Sequence, residues 1–227
     1  MPVRAVVLPA APLLVPGAGG TARPLAATRA AVLEAVGAVR GPDGGPAVTW
    51  GVLAPAPRTT WDARRASFAA VGIADRWLPL PGGTGPVAGV PASVALWALA
   101  AAAGGDAVSG ARVVELATRP GREDHQDRRA AIDHLDRCDG IVVAAGGRPG
   151  AAAQGSPGAT PVDDVLADLA GAGGWERRVL QVVEEGPHLP GAYEVVVWEG
   201  PQRSANQPTP VISNQKRSVR PTRTVGT

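Results

Sequence analysis

A glutamate lies inside an otherwise apolar segment, which is an unusual position for an acidic side chain. Glu115 interrupts "ARVVELAT" (residues 111–118), whose other residues are typical of a buried strand. A carboxylate in such a place must be paired, or must lie at the carboxyl edge of the sheet, where α/β proteins bind ligands. Arg112 lies on the same predicted strand. Glu115 is therefore the catalytic candidate of this sequence, although the pattern favours a structural role, and Glu194 raises the same question in the last predicted strand.

The histidines and the single cysteine do not form a recognisable reactive set. His125 and His134 are nine residues apart on one predicted helix, which places them on opposite sides of it. His188 lies in a predicted loop. Cys138 closes the apolar stripe of the same helix, which is typical of a core residue and not of a reactive thiol. The sequence therefore predicts no metal site, and it calls for no cofactor.

Two glycine-rich segments have some of the character of phosphate-binding loops. "GGRPG" (residues 146–150) follows a predicted buried strand, which is where such loops begin. No helix starts directly after it, and "GGTGP" (residues 82–86) also lacks a strand-to-helix junction. Neither has the spacing of a nucleotide-binding loop, so both are interpreted as surface loops.

The charge distribution argues against a nucleic-acid-binding role. Five of the 22 basic residues and none of the 20 acidic residues lie after Gly200, which leaves 17 basic against 20 acidic side chains before it. A mildly acidic body with a short basic tail does not indicate nucleic-acid binding. The most apolar segment, "ASVALWALAAAA" (residues 92–103), is too short to span a bilayer. We expect a cytoplasmic protein with no nucleic-acid or membrane partner.

Apolar runs alternate with amphipathic segments along the chain. Continuous apolar runs predict buried strands, and a run that contains proline predicts an edge strand. The predicted strands cover residues 3–8, 48–53, 75–81, 111–118, 141–146 and 193–198. The predicted helices cover residues 21–39, 92–103, 123–138 and a segment capped by Thr160. Residues 175–183 fit either a helix or a strand.

This alternation predicts a doubly wound α/β domain over residues 1–200, with a mostly parallel central sheet and helices on both faces. A basic, disordered tail is expected over residues 201–227. The first two strands end in similar proline-alanine turns, "PAAP" (residues 9–12) and "APAP" (residues 54–57). Such strand ends normally carry the polar groups of an α/β site.

The segment "VVLPAAPLLVP" (residues 6–16) resembles the start of the class III extradiol ring-cleavage dioxygenase-like family of GC-rich bacteria. Members often begin with a strand followed by Pro-His-Pro-Pro-Leu-Leu-Val-Pro. The residues that match this pattern are Pro9, Pro12, Leu13, Leu14, Val15 and Pro16. A looser likeness extends to "GVPASVALWALA", "RVVELA", "PVDDVLADLA" and "AYEVVVW", so the resemblance implies the extradiol dioxygenase-like fold over roughly residues 3–198.

The same resemblance implies that the iron chemistry of the family is absent. In active members the first-strand histidine binds non-haem Fe(II) together with a second histidine and a carboxylate. Ala10 stands at that first histidine position, and the second strand ends "LAPAP" without a histidine. The resemblance therefore implies a pseudoenzyme with a residual cleft for a small ligand or a protein partner.

The residual cleft would be lined by the strand ends and by the loop after the fifth predicted strand. Its expected lining residues are Pro9, Ala10, Ala11, Pro12, Ala54, Pro55, Ala56, Gly146, Gly147 and Arg148. Two alternatives stay open. The first is an enzyme in the same cleft, either a dioxygenase with atypical ligands or one that acts on an acidic or carbonyl substrate through Glu115, Arg58 or Arg148. The second is a non-catalytic module that forms a homo-oligomer or binds a partner.

Overall fold

The computed structural model describes residues 1–39, 41, 45, 49–83, 85–118, 124–145, 160–186 and 189–201. Its strands are β1 (Val3–Pro9), β2 (Trp50–Ala56), β3 (Thr60–Trp61), β4 (Arg112–Ala117), β5 (Gly140–Ala145), β6 (Glu176–Val183) and β7 (Ala192–Glu199). Its α-helices are α1 (Ala26–Gly37), α2 (Val90–Ala103), α3 (Gly105–Ser109), α4 (Asp124–Leu135) and α5 (Pro161–Gly173).

One seven-stranded sheet carries the fold, in the order β3-β4-β2-β5-β1-β7-β6. The four central strands β4, β2, β5 and β1 run parallel to one another. Three flanking strands make the sheet mixed, because β7 is antiparallel to β1, β6 is antiparallel to β7, and β3 is antiparallel to β4. The parallel strands are continuous apolar runs because both of their faces are covered.

Helices cover both faces of the sheet, which confirms the predicted doubly wound arrangement. Successive strand residues point to opposite faces, and the core accordingly divides into two clusters. Val6, Val52 and Val142 pack with the apolar residues of α1 and α2. Val7, Leu53 and Val143 pack with Leu135 of α4 and with Val165 and Leu169 of α5.

Three sequence predictions are wrong in their details. The first helix begins at Ala26 and not at residue 21, because the buried Leu25 has a left-handed backbone with φ +55°. Residues 75–81 do not form an edge strand, since Asp75–Trp77 is a turn of 3₁₀-helix. The expected turn over residues 54–57 is largely strand, because β2 continues through Ala56.

Pro55 fits inside a parallel strand because of where its backbone faces. The Thr118 N–H donates to the Ala56 carbonyl oxygen at 2.9 Å, so the polar groups of Ala56 face β4 and those of Pro55 face β5. Pairing between β2 and β5 ends at Leu53 and Val143. The N–H that proline lacks is therefore not needed for the sheet.

The segment that fitted either a helix or a strand is the strand β6. The predicted start of α5 is confirmed, since the Thr160 hydroxyl accepts from the Asp163 N–H at 3.3 Å and the Asp163 carboxylate accepts from the Thr160 N–H at 2.9 Å. This reciprocal pair satisfies two donors that the first helical turn leaves without partners.

Gly51 supplies a test of how tightly α4 packs on β2. A Cβ at this position would lie 2.8 Å from Leu135 Cδ2 and 3.2 Å from Cys138 Sγ. We expect Gly51→Ala to lower the free energy of unfolding by about 1–3 kcal/mol, because the core must move to admit the methyl group. Chemical denaturation measures this change.

Gly171 is the matched control, because it lies in α5 and a Cβ there would meet nothing within 4 Å. Gly171→Ala should raise the free energy of unfolding by about 0.5–1 kcal/mol through helix propensity. Equal effects of the two substitutions would contradict the described packing.

Candidate functional site

The carboxyl ends of the parallel strands meet at one edge of the sheet, where the sequence placed its candidate residues. Pro9 is buried at the end of β1, and the Ala10 N–H donates to the Ala145 carbonyl oxygen of β5 at 2.9 Å. Ala10 and Ala11 are half-buried, and a 3₁₀ turn over Pro12–Leu14 follows them. This end of β1 thus presents only apolar side chains and backbone groups.

The end of β2 is closed by the core. Ala54 is fully buried in the cluster that contains α2, Pro55 is half-buried and Ala56 is buried. Ala54 pairs directly with Glu115 in the parallel register of β2 and β4. Arg58, which follows β2, is exposed. Gly146, Gly147 and Arg148 lie outside the described residues.

Glu115 is the buried acid of this region, with 3% of its surface exposed. Its Oε1 accepts from the Gly89 N–H at 2.8 Å, and its Oε2 accepts from the Thr60 hydroxyl at 2.8 Å. Arg112 is not its partner, because strand positions three apart point to opposite faces. The Arg112 Nη1 donates instead to the His134 carbonyl oxygen at 3.2 Å.

The hydrogen bond to Gly89 gives Glu115 a role in holding α2. Gly89 is the N-cap of α2 and offers no side chain to cap it. The Glu115 carboxylate supplies the missing acceptor from the sheet, at the end of the helix where a negative charge is favoured. A Cβ on Gly89 would lie 2.8 Å from Oε1, so the contact requires glycine. Glu115 therefore acts as a structural link between β3, β4 and α2.

The other titratable candidates lie away from this edge or outside the described residues. His125 is exposed, His134 Nε2 lies 3.7 Å from Asp62 Oδ1, and His188 is outside the described residues. Cys138 is buried as predicted, and burial, the largest cause, raises the pKa of its thiol to about 12. A thiol that stays protonated at neutral pH is a poor nucleophile.

Glu194 differs from Glu115 in lacking a partner for one of its oxygens. Its Oε2 is buried and accepts no hydrogen bond from the described residues. The residue lies on β7, where it pairs with Gln181 of the outer strand β6. It therefore does not join Glu115 in a common site, since β1, β5 and β2 separate β7 from β4.

The donor set does not fit a non-haem iron. Ala10 and residues 54–57 have no side-chain lone pair, and Glu115 already accepts two hydrogen bonds. Over the part of the chain that the structure describes, no three His, Cys, Asp or Glu side chains lie together in a metal-binding group. The helices of that same part include none of the length and apolarity that a membrane span needs.

Sequence reasoning missed a cavity in the connection between β1 and α1. It has a volume of about 470 Å³, and it is lined by Arg29 and by residues of the segment 15–24. The signal available in the sequence was the glycine-rich run "PGAGG" that follows the matched motif. What the sequence did not provide was the position of Arg29, which enters the cavity from α1.

Comparison with known proteins places no relative beside this fold and site. No protein-family model, no curated protein and no solved structure matches the chain.

Substitutions of Glu115 separate its structural role from a catalytic one. Glu115→Ala should lower the free energy of unfolding by about 2–4 kcal/mol, because it leaves the buried Gly89 N–H and Thr60 hydroxyl without a partner. Glu115→Gln should cost only about 1 kcal/mol, since the Thr60 hydroxyl can reverse and accept from the new amide. Thermal or urea unfolding measures both.

The matched control is Glu185→Gln, a neutralised acid on the surface, which should change stability by less than about 0.5 kcal/mol. If Glu115→Ala were as stable as the parent protein, the carboxylate would not be the link between β4 and α2.

Proposed function

We propose that this protein is a non-catalytic member of the class III extradiol dioxygenase-like family, which binds a small ligand at the carboxyl edge of its sheet. The observation that carries the proposal is the chemistry of the strand ends. Ala10 follows β1 at the position of a ligating histidine in the family pattern, and β2 ends in alanine and proline. The doubly wound sheet supports the choice of edge, because this fold binds ligands beyond the carboxyl ends of its strands.

The state of Glu115 supports binding over catalysis. A general acid or base must reach a substrate proton, whereas both oxygens of Glu115 are held by Gly89 and Thr60. The protein retains an α/β scaffold with apolar strand ends, which suits shape-dependent binding of a ligand.

Anaerobic loading with Fe(II) tests the proposal. After desalting, the full chain should retain far less than one iron per molecule, because alanine and proline provide no ligands. Iron is measured colorimetrically. Ala10→His should not restore tight binding, since one imidazole does not make a facial set of three protein ligands. Stoichiometric iron in the parent protein would overturn the proposal.

A second candidate function, homodimerisation, is favoured by the outer strand β6. This strand is eight residues long and pairs, within the described residues, only with β7. Val183 at its end is 70% exposed. Unpaired strand edges associate readily with a second copy.

The charges along β6 complement themselves in an antiparallel pair. Pairing about Gln181 would place Arg177 opposite Glu185, Arg178 opposite Glu184, and Val179 opposite Val183 of a second copy. Opposite charges at facing positions stabilise such a pair, and the valines add apolar contact. The result would be one continuous sheet across the dimer.

Light scattering or sedimentation of the full chain measures the dimer. Val183→Lys should convert it to a monomer, because a charge would lie opposite the apolar Val179. Arg177→Glu should weaken dimerisation about fivefold at low salt, and the added Glu185→Arg should restore it. The control is Val71→Lys, at an exposed valine that β6 does not contain. A monomeric parent protein, or equal effects of Val71→Lys and Val183→Lys, would exclude this interface.

A further inference from the structure

The cavity between β1 and α1 combines a suitable size with a positively charged lining. Its volume of about 470 Å³ lies in the range of small-molecule sites. The lining comes from the loop 15–24 and from the first turn of α1. Arg23 and Arg29 are its charged lining residues, and none of the lining residues is acidic.

Arg29 is fixed in place by the loop that it lines. Its Nε donates to the Leu14 carbonyl oxygen at 2.5 Å, and its Nη2 donates to the carbonyl oxygens of Leu13 at 3.2 Å and Pro24 at 3.0 Å. Leu13 and Pro24 lie on the two sides of the loop, so one guanidinium holds both ends together. Its Nη1 donates to no acceptor among the described residues, which leaves two N–H groups for a ligand.

The loop backbone adds further donors. Two amides are used in turns, since Ala18 N–H donates to the Val15 carbonyl oxygen and Gly20 N–H to that of Gly17. Gly17 and Gly20 have φ values of +88° and +67°, a conformation that favours glycine. The amides of Gly17, Gly19 and residues 21–23 have no acceptor in the described part of the chain. Successive free amides of this kind form concave anion-binding surfaces.

The electrostatics of Arg29 leave positive charge at the cavity. Burial, the largest cause, lowers the pKa of Arg29, nearby Arg23 lowers it further, and Glu184 opposes both. Glu184 is not a lining residue, and its Oε1 accepts from the Thr28 N–H of α1 at 2.6 Å. Arg23 is exposed and has no ion-pair partner among the described residues. An anion between the two arginines would relieve their repulsion.

We propose that this cavity binds the carboxylate or phosphate group of a small organic anion between Arg23, Arg29 and the free loop amides. Guanidinium groups match the oxygens of both anions in charge and geometry. The cavity exceeds a bare phosphate in size, so the remaining volume accommodates the organic part of the ligand. The site does not depend on whether the protein binds iron.

Titration of the ¹⁵N-labelled full chain, followed by NMR at constant ionic strength in chloride, tests this site. The probes are inorganic phosphate and benzoate. Saturable shifts are expected at the amides of Gly17, Gly19 and residues 21–23. Binding of phosphate alone identifies a phosphorylated ligand, benzoate alone a carboxylate, and both probes a site that accepts either group.

Variants assign the binding to the arginines. Arg23→Ala should weaken the affinity for the binding probe about fivefold without altering the fold, because the side chain is exposed. Arg29→Lys keeps the charge but loses the forked contacts to the loop, and it should abolish saturable binding. The control is Arg137→Ala, at an exposed arginine after α4, on the opposite side of the sheet.

Three outcomes would overturn the inference: no saturable shift with either probe, equal losses in Arg23→Ala and Arg137→Ala, or shifts spread over surface arginines in general. None of them bears on the iron measurement. Conversely, stoichiometric iron binding would overturn the proposed function and leave this site in place.

Discussion

The Glu115 carboxylate is the constraint around which one half of the molecule is arranged. A buried carboxylate must receive hydrogen bonds, and these come from Gly89 and Thr60. The first donor fixes where α2 begins on the sheet, and the second fixes β3 against β4. Helix α2 has an almost entirely apolar surface, with eight consecutive buried residues from Ala92 to Leu99. Its own side chains therefore give it little orientation, and the link to Glu115 provides a polar reference point.

The same contact explains what could and could not be predicted from the sequence. Continuous apolar runs were sufficient to locate β1, β4 and β5, and the capping residues located α5. Pro55 misled because a proline ends a strand only when its N–H would face a paired neighbour, and that depends on the extent of β5. Glu115 was recognised as buried, but its partners Gly89 and Thr60 are distant in sequence and carry no local signal.

The candidate site divides in the same way. That Ala10 and Ala54 lie at one edge of the sheet follows from the order of parallel strands, which the alternation of elements predicts. The role of Arg29 did not follow, because it contacts carbonyl groups that precede it by 15 or 16 residues. Backbone carbonyl groups look alike in any sequence, so such a contact is visible only in three dimensions. The apolar ends of β1 and β2 and the arginine-lined cavity belong to one region, since a single connection leads from Ala10 to Arg29.

The position of β1 in the sheet has a consequence for how the chain acquires its structure. Val6 pairs on one side with Val142 and on the other with Val197, which belong to the middle and the end of the domain. The segment synthesised first therefore has no strand partner until most of the chain exists. Folding dominated by such distant pairings is slow, and an unpaired apolar strand is prone to aggregate while it waits. The N-terminal strand thus depends on late chain segments, so completion of this sheet follows the emergence of β7 from the ribosome.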